Sequence, residues 1–507
     1  MFKRILSSLG LSAIIYAVAT VGQIISVPLL LHAWGDQLYG EWLTLTNLVA
    51  SLNLLNAGVQ THVMNLLIAH YVREEIEEGK RLLHSALRLY ILLCVLALTV
   101  TLVLAFVPSL ASFLNIRALP PAHLRVIVLI QGLLATYTIL EGMLMSLLIV
   151  TKQMPRRLLY SLVERIVFLG VPIVVAALGG FPLIVSISVA VIMIGIAWTQ
   201  MRDVRRRSPF TPGLEAGSWK QAFSLLPPSL TFLAVTLSYQ LLTTGMVVVI
   251  SSGIGPAAVA LYSTTLMLTN FVRSLLFQGL NVLWPEITSD AAQGSKNLFF
   301  WYRLALKLMG TFVMGMALLL YTLGPAILSY WTGGRLAVDA TLNAILVLYL
   351  IVHAPELVAR TFGLATSRQN QIFKVELTAA LLAILLSLLL LPSLGLRGAA
   401  WALVIGQTLG SLLMVRLALG WTNGVWQVWL QDVIVRALPS FFGVVAAGLL
   451  IAALNANFWE KGIFALLAVM IYFVLAWVLW FSKDEKSLLE RHSKRVMISL
   501  SNRVFVQ

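Results

Sequence analysis

The chain has 507 residues, of which 60% are hydrophobic and 11% charged, with a mean hydropathy of +0.93. These values exclude the soluble globular class and mark an integral membrane protein. The single cysteine, Cys94, rules out an internal disulfide, and the net charge of +15 calls for a topological explanation before a nucleic-acid partner is invoked.

Taken in chain order, the apolar runs predict helices near 10–33, 41–67, 84–113, 123–150, 158–178 and 182–201. After a basic stretch come 222–251, 257–284, 304–330, 340–364, 374–393, 397–419, 436–457 and 461–482. Lys3-Arg4, an apolar run and Ala17-Val18-Ala19 have the form of a secretory signal. The run continues to Leu31, however, which is enough to cross a hydrocarbon core of ~30 Å, so it is read as a retained first helix. The expected fold class is an all-α polytopic membrane protein with about 14 transmembrane helices: two pseudo-symmetric six-helix lobes plus two C-terminal helices.

Of the 35 Lys and Arg, 29 fall on the linkers and adjoining helix ends of one side. The other side has 5 (Arg117, Arg125, Arg335, Arg397 and Lys461), and Arg273 belongs to neither. The asymmetry predicts a multi-pass protein with both termini cytoplasmic. It also explains the basic charge without nucleic acid, because the excess faces anionic lipid headgroups of the bilayer.

The most polar stretch before the tail, Arg202 to Lys220, divides the chain into halves that align at an offset of about 220. Gly35-Asp36-Gln37-Leu38-Tyr39-Gly40-Glu41-Trp42 falls on Gly255-Pro256-Ala257-Ala258-Val259-Ala260-Leu261-Tyr262. The expected domains are a six-helix lobe over 1–201, a basic cytoplasmic linker over 202–220 and a second lobe over 221–419. An interfacial linker with two further helices follows over 420–482, containing Trp421, Trp426 and Trp429, then a cytoplasmic tail over 483–507. Parallel repeats of this kind place a substrate site between lobes.

Amides mark that seam. On an ideal helix Thr46, Asn53, Asn56 and Gln60 share one arc, and Asn270, Arg273, Ser274, Gln278 and Asn281 share another. Such faces line a wet cavity or supply hydrogen bonds between helices. Arg273 sits near the middle of its helix, where a guanidinium cannot shed its charge. It contacts an anionic substrate, for which its planar fork suits phosphate, or it forms a structural ion pair. Glu141, Glu164 and Arg165 are read as a buried ion pair between neighbouring helices, or as a carboxylate site exchanging H⁺ or Na⁺. Glu356 and Arg360 form an i,i+4 pair or a cytoplasmic gate. Pro227-Pro228 bends or hinges the seventh helix.

No nucleophile with its base, metal cluster or nucleotide loop is present, and the seven His are scattered without ligand spacing. No enzyme activity and no cofactor are expected beyond possible H⁺ or Na⁺ coupling. Val27-Pro28-Leu29-Leu30-Leu31, Trp34-Gly35 and Tyr39-Gly40-Glu41-Trp42 resemble the opening hairpin of bacterial polysaccharide flippases, including O-antigen flippases. These belong to the multidrug/oligosaccharidyl-lipid/polysaccharide superfamily. Gly253 to Tyr262 resembles the corresponding turn of the second half.

The resemblance implies two lobes that rock between inward- and outward-open states in the bacterial inner membrane. The implied cargo is an undecaprenyl-diphosphate-linked oligosaccharide (O-antigen or exopolysaccharide repeat unit), with polysaccharide polymerase machinery as a further partner. Rival readings are a drug/cation antiporter of the same superfamily, a membrane polysaccharide polymerase or ligase, and a scaffold. The midplane Arg opposes the first, short outer loops the second, and the paired polar stripes the third.

Overall fold

The computed structural model describes residues 2–487 apart from 108, 293–297, 367, 455–456 and 484. Within that span it leaves out the side chains of 2–10, 12–13, 54–58, 61, 228–233, 235, 278–279 and 281–292. Every regular element among the described residues is a helix. The long ones are α1 (Phe2–Ala50), α2 (Ala57–Val72), α3 (Ile76–Phe106), α4 (Pro121–Val150), α5 (Met154–Ala177), α6 (Pro182–Arg207) and α7 (Leu226–Ile254). They continue with α8 (Pro256–Ala292), α9 (Leu298–Trp331), α10 (Ala340–Ala365), α11 (Gln369–Leu394), α12 (Leu396–Trp421), α13 (Leu438–Ala453) and α14 (Phe458–Leu479).

Twelve of the described segments are long and apolar enough to cross a membrane. The first of them is two helices joined at a kink, and α8 is a further long helix. In hydrocarbon, a helix satisfies its backbone N–H and C=O groups internally, which is why these sequences take this form. The protein is an all-α polytopic membrane protein.

Local chemistry explains the punctuation. Pro occupies the first turn of α4, α5, α6, α7 and α13, where its missing N–H has no intrahelical partner to lose. Asp339 caps α10 by accepting from the Thr341 and Leu342 amides. Asn457 and Glu460 close a capping box on α14.

Several boundaries differ from the sequence expectation: α3 begins at Ile76 rather than near 84, and α8 runs to Ala292 rather than near 284. The second helix is not continuous over 41–67, because a 3-10 segment, Ser51–Asn56, separates α1 from α2. α6 runs to Arg207, so Arg205, Arg206 and Arg207 occupy its last turn and complement the carbonyl end of the helix dipole.

The chain forms two compact units, neither contiguous in sequence. The first comprises Met1–Thr265, Leu328–Val338 and Glu376–Gly406. In it, Gly35 has φ 72° and Gly255 has φ 99°, so both turns paired at the offset of 220 rest on a glycine in the left-handed region. Gly40 meets the chain at Pro256: a Cβ on it would lie 1.9 Å from the Pro256 carbonyl oxygen.

The neighbouring Glu41 is fully buried. Its Oε1 accepts from the Arg117 and Ala118 amides at 2.7 and 2.8 Å, and its Oε2 from the Leu119 amide at 2.9 Å. Gln37 adds a fourth donor at 2.9 Å. The stretch that carries the family resemblance therefore has a structural role, stapling the loop before α4.

The basic stretch after α6 is strapped onto α3. Phe210 is fully buried against Gly79. The His84 ring donates from Nε2 to the Thr211 carbonyl at 3.0 Å and accepts at Nδ1 from the Ala216 amide at 3.1 Å.

The second unit comprises Leu266–Ile327, Asp339–Val375 and residues from Gln407 on. Its most buried charge is Lys307, whose Nζ lies 2.9 Å from Glu485 Oε2 and 3.5 Å from Asp432 Oδ2. Asp432 also binds Arg303 and Arg436. This network ties the start of α9 to the segment before α13 and to the chain leaving α14.

Candidate functional site

In the second unit, α10 carries a polar stripe. His353 and Glu356 are buried, with His353 Nδ1 3.7 Å from Glu356 Oε2, and Arg360 is half-buried one turn further on. At 100° per residue these three lie within roughly 60° of one another. Arg273, half-buried in the middle of α8, and Arg360 both lie close enough to His353 to act on it electrostatically. Two permanent guanidinium charges thus fall within electrostatic range of one imidazole, with Glu356 as the carboxylate of the stripe. Asn270, one turn before Arg273, is also half-buried, and its carbonyl accepts from the Ser274 hydroxyl at 2.8 Å. The side chains of Gln278 and Asn281 lie outside the described residues.

In the first unit, Glu141 of α4 and Glu164 of α5 come together. The cation between them is Arg157, with Nη1 3.2 Å from Glu141 and 3.6 Å from Glu164. Arg165, expected as the partner, is exposed. Helix geometry gives the reason: Arg157 and Glu164 are seven residues apart and share a face, whereas Arg165 lies a further ~100° around. Gln200 of α6 donates to Glu164 at 2.7 Å and to Glu141 at 3.5 Å, and the Tyr137 hydroxyl donates to Gln200 Oε1 at 2.5 Å. Glu164 and Arg165 also line a cavity of about 470 Å³ between α1 and α5, with Tyr16, Ser161 and Phe168.

The predicted amide stripe of the second helix takes a different form. The arc drawn for Thr46, Asn53, Asn56 and Gln60 assumes 100° per residue, and the 3-10 segment winds at ~120°. Thr46 bonds the Trp42 and Leu43 carbonyls of its own helix. Asn53 accepts from the Thr138 hydroxyl, and Gln60 donates to the Gly142 carbonyl at 2.8 Å, so both engage α4. The Asn56 side chain lies outside the described residues.

Sequence reasoning missed Arg157, Gln200 and Tyr137. The seven-residue spacing of Arg157 and Glu164 was a usable signal, whereas nothing local announced Gln200, 36 residues from Glu164. It also missed Lys307, because its partner Glu485 is 178 residues away.

No protein-family model matches the chain, and no curated protein matches its sequence. Among solved structures, the inward-facing conformation of a multidrug resistance MATE family transporter of the MOP superfamily aligns with a TM-score of 0.67. It is 13% identical over 80% of this chain and 94% of that one. The chain has the fold of the MOP-superfamily transporters. The lipid II flippase MurJ in its inward closed conformation aligns with a TM-score of 0.65 and 14% identity over 92% of this chain and 98% of its own. The MATE multidrug transporter DinF-BH, in a ligand complex, gives 0.56 and 14%, over 82% and 94%. The MOP fold is thus shared by proteins whose names describe both multidrug transport and lipid flipping.

Proposed function

We propose that this protein is a flippase that carries a polyprenyl-diphosphate-linked oligosaccharide across the bacterial inner membrane by alternating access. The observation that carries this reading is the pair of guanidinium groups, Arg273 and Arg360, near His353 inside the second unit. A guanidinium stays charged at any depth and costs from ~3 to over 10 kcal/mol at a bilayer centre. A diphosphate offers the complementary charge and accepts paired hydrogen bonds from the guanidinium fork. The lipid tail stays in the bilayer while the diphosphate and sugars pass along a polar route to which Asn270 contributes.

Among the described residues Glu141 and Glu164 share one cation, Arg157, leaving one carboxylate charge in excess, so this cluster is the place where a proton or Na⁺ is gained and released during the cycle. Polymerase machinery then receives the flipped lipid at the outer leaflet.

The test is translocation of a lipid-linked oligosaccharide in reconstituted vesicles, with Arg273→Ala and Arg273→Lys. Both variants should lose at least about tenfold in rate, since about 1.4 kcal/mol is tenfold. Normal translocation in both, from stably folded protein, sinks the role of Arg273.

A drug/cation antiporter of the same fold is the second reading, favoured by one feature. The cavity beside Glu164 is flanked by Tyr16 and Phe168, a carboxylate with aromatic neighbours that suits an organic cation. Efflux of a cationic dye that survives Arg273→Ala and stops in Glu164→Gln would favour this reading over the flippase.

A further inference from the structure

The second unit holds an apolar cavity of about 370 Å³, lined by Met309 of α9, Val358 of α10, Val415 of α12 and Phe441 of α13. A second cavity of about 210 Å³ shares Met314, Ile351 and Phe441 with it, so the two form one trough along α13. Leu412, Ile434 and Leu438 on its wall are exposed, which opens the trough toward the surrounding bilayer.

The trough is separate from the polar stripe. On α10, Ile351, Pro355 and Val358 line it, while His353, Glu356 and Arg360 point about 165° away at 100° per residue. The helix itself stands between the apolar chamber and the charges assigned to transport.

One end of the trough is cationic. Val433 and Ala437 line it, and Asp432 and Arg436 immediately precede them. Asp432 binds Arg303 and Lys307 through Oδ2 and Arg436 through Oδ1 at 2.6 Å, while Glu485 takes Lys307. Among the described residues of this network, three cations face two carboxylates. Its most exposed member is Arg436, at 51%. Trp429, which lines the trough, stacks on Trp426 with ring centroids 5.0 Å apart, and Trp is the residue type that favours the headgroup level of a bilayer.

We propose that this trough is a binding site for an anionic glycerophospholipid, with its acyl chains along α13 and its phosphate on Arg436, held as a resident lipid that is not transported. A phosphate accepts a forked pair of bonds from a guanidinium. A zwitterionic lipid has no net charge to answer the surplus cation.

The test uses the full chain in detergent, with native mass spectrometry after adding phosphatidylglycerol, phosphatidylcholine of the same chains, or undecaprenyl phosphate. Phosphatidylglycerol should be retained about fivefold over phosphatidylcholine, as expected from one Arg near a headgroup. Arg436→Gln, which removes the most exposed member of the network and leaves Asp432 bound to Arg303 and Lys307, should bring the two phospholipids to parity. Ala437→Trp, which fills the mouth, should release both. Equal retention of the two phospholipids by the unaltered protein overturns the proposal, as does an unchanged preference in Arg436→Gln. Displacement of phosphatidylglycerol by undecaprenyl phosphate overturns it in favour of a substrate-tail site. Arg273→Ala should leave lipid retention unchanged, so failure of this site and failure of the flippase reading are separable.

Discussion

At the residue scale, several side chains with the strongest sequence signals are structural, and the more telling ones were silent. Glu41 lies in the stretch that resembles polysaccharide flippases, yet its carboxylate is spent on three backbone amides and Gln37. Glu41→Ala should destabilise the protein by roughly 2–4 kcal/mol, because it strands buried donors that each cost about 1–3 kcal/mol. Glu41→Gln, which keeps one acceptor, should cost less; thermal unfolding in detergent distinguishes the two.

Lys307 and Glu485 are 0% and 2% exposed. Glu485→Ala leaves a buried ammonium with Asp432 as its one carboxylate among the described residues and should cost about 3–5 kcal/mol. The double change Lys307→Met with Glu485→Met should recover most of that loss. A double variant no more stable than the single one would mean the pair does not act as a unit.

At the element scale, glycines and helix type decide what touches what. A Cβ at residue 40 would sit inside contact distance of the Pro256 backbone carbonyl, and backbone cannot rotate aside as a side-chain tip can. Gly40→Ala should therefore push α1 from the start of α8 and sharply lower the yield of folded protein. Gly170→Ala on α5, where a Cβ meets nothing within 4 Å, is the control, expected to express normally. The amide stripe of the second helix shows the opposite lesson. Polar spacing was legible, but the switch to a 3-10 segment at Ser51–Asn56 rewinds the face and turns Asn53 and Gln60 to partners on α4. On α10, by contrast, unbroken helical periodicity separates a charged face from an apolar one.

At the scale of the whole molecule, the 29-to-5 partition of Lys and Arg predicts orientation. Because Cys94 is the single cysteine, Cys94→Ser gives a clean background for labelling. A cysteine placed at the exposed Glu215 should react with an impermeant thiol reagent only from the cytoplasmic side, and one at Arg335 only from outside. Reaction of both from the same side would refute the topology. Charge excess at the Glu141, Glu164 and Arg157 cluster predicts that Glu141→Gln or Glu164→Gln abolishes acceleration of transport by an imposed H⁺ or Na⁺ gradient while leaving substrate binding intact. Binding is read separately from rate, which distinguishes lost coupling from lost fold.

Hydropathy by itself determined that this chain is built of many membrane-spanning helices, and charge bias predicts which side its cations prefer. These are one-dimensional properties, set by transfer of local segments between water and hydrocarbon. Only the tertiary structure decided which partner each buried charge takes: Arg157 rather than Arg165 for Glu141, and Glu485 for Lys307. It also decided that α10 stands between an apolar trough and the charged stripe. Pairing of charges depends on distances between elements remote in sequence, and a buried ion accepts whichever opposite charge the packing brings within a few ångströms.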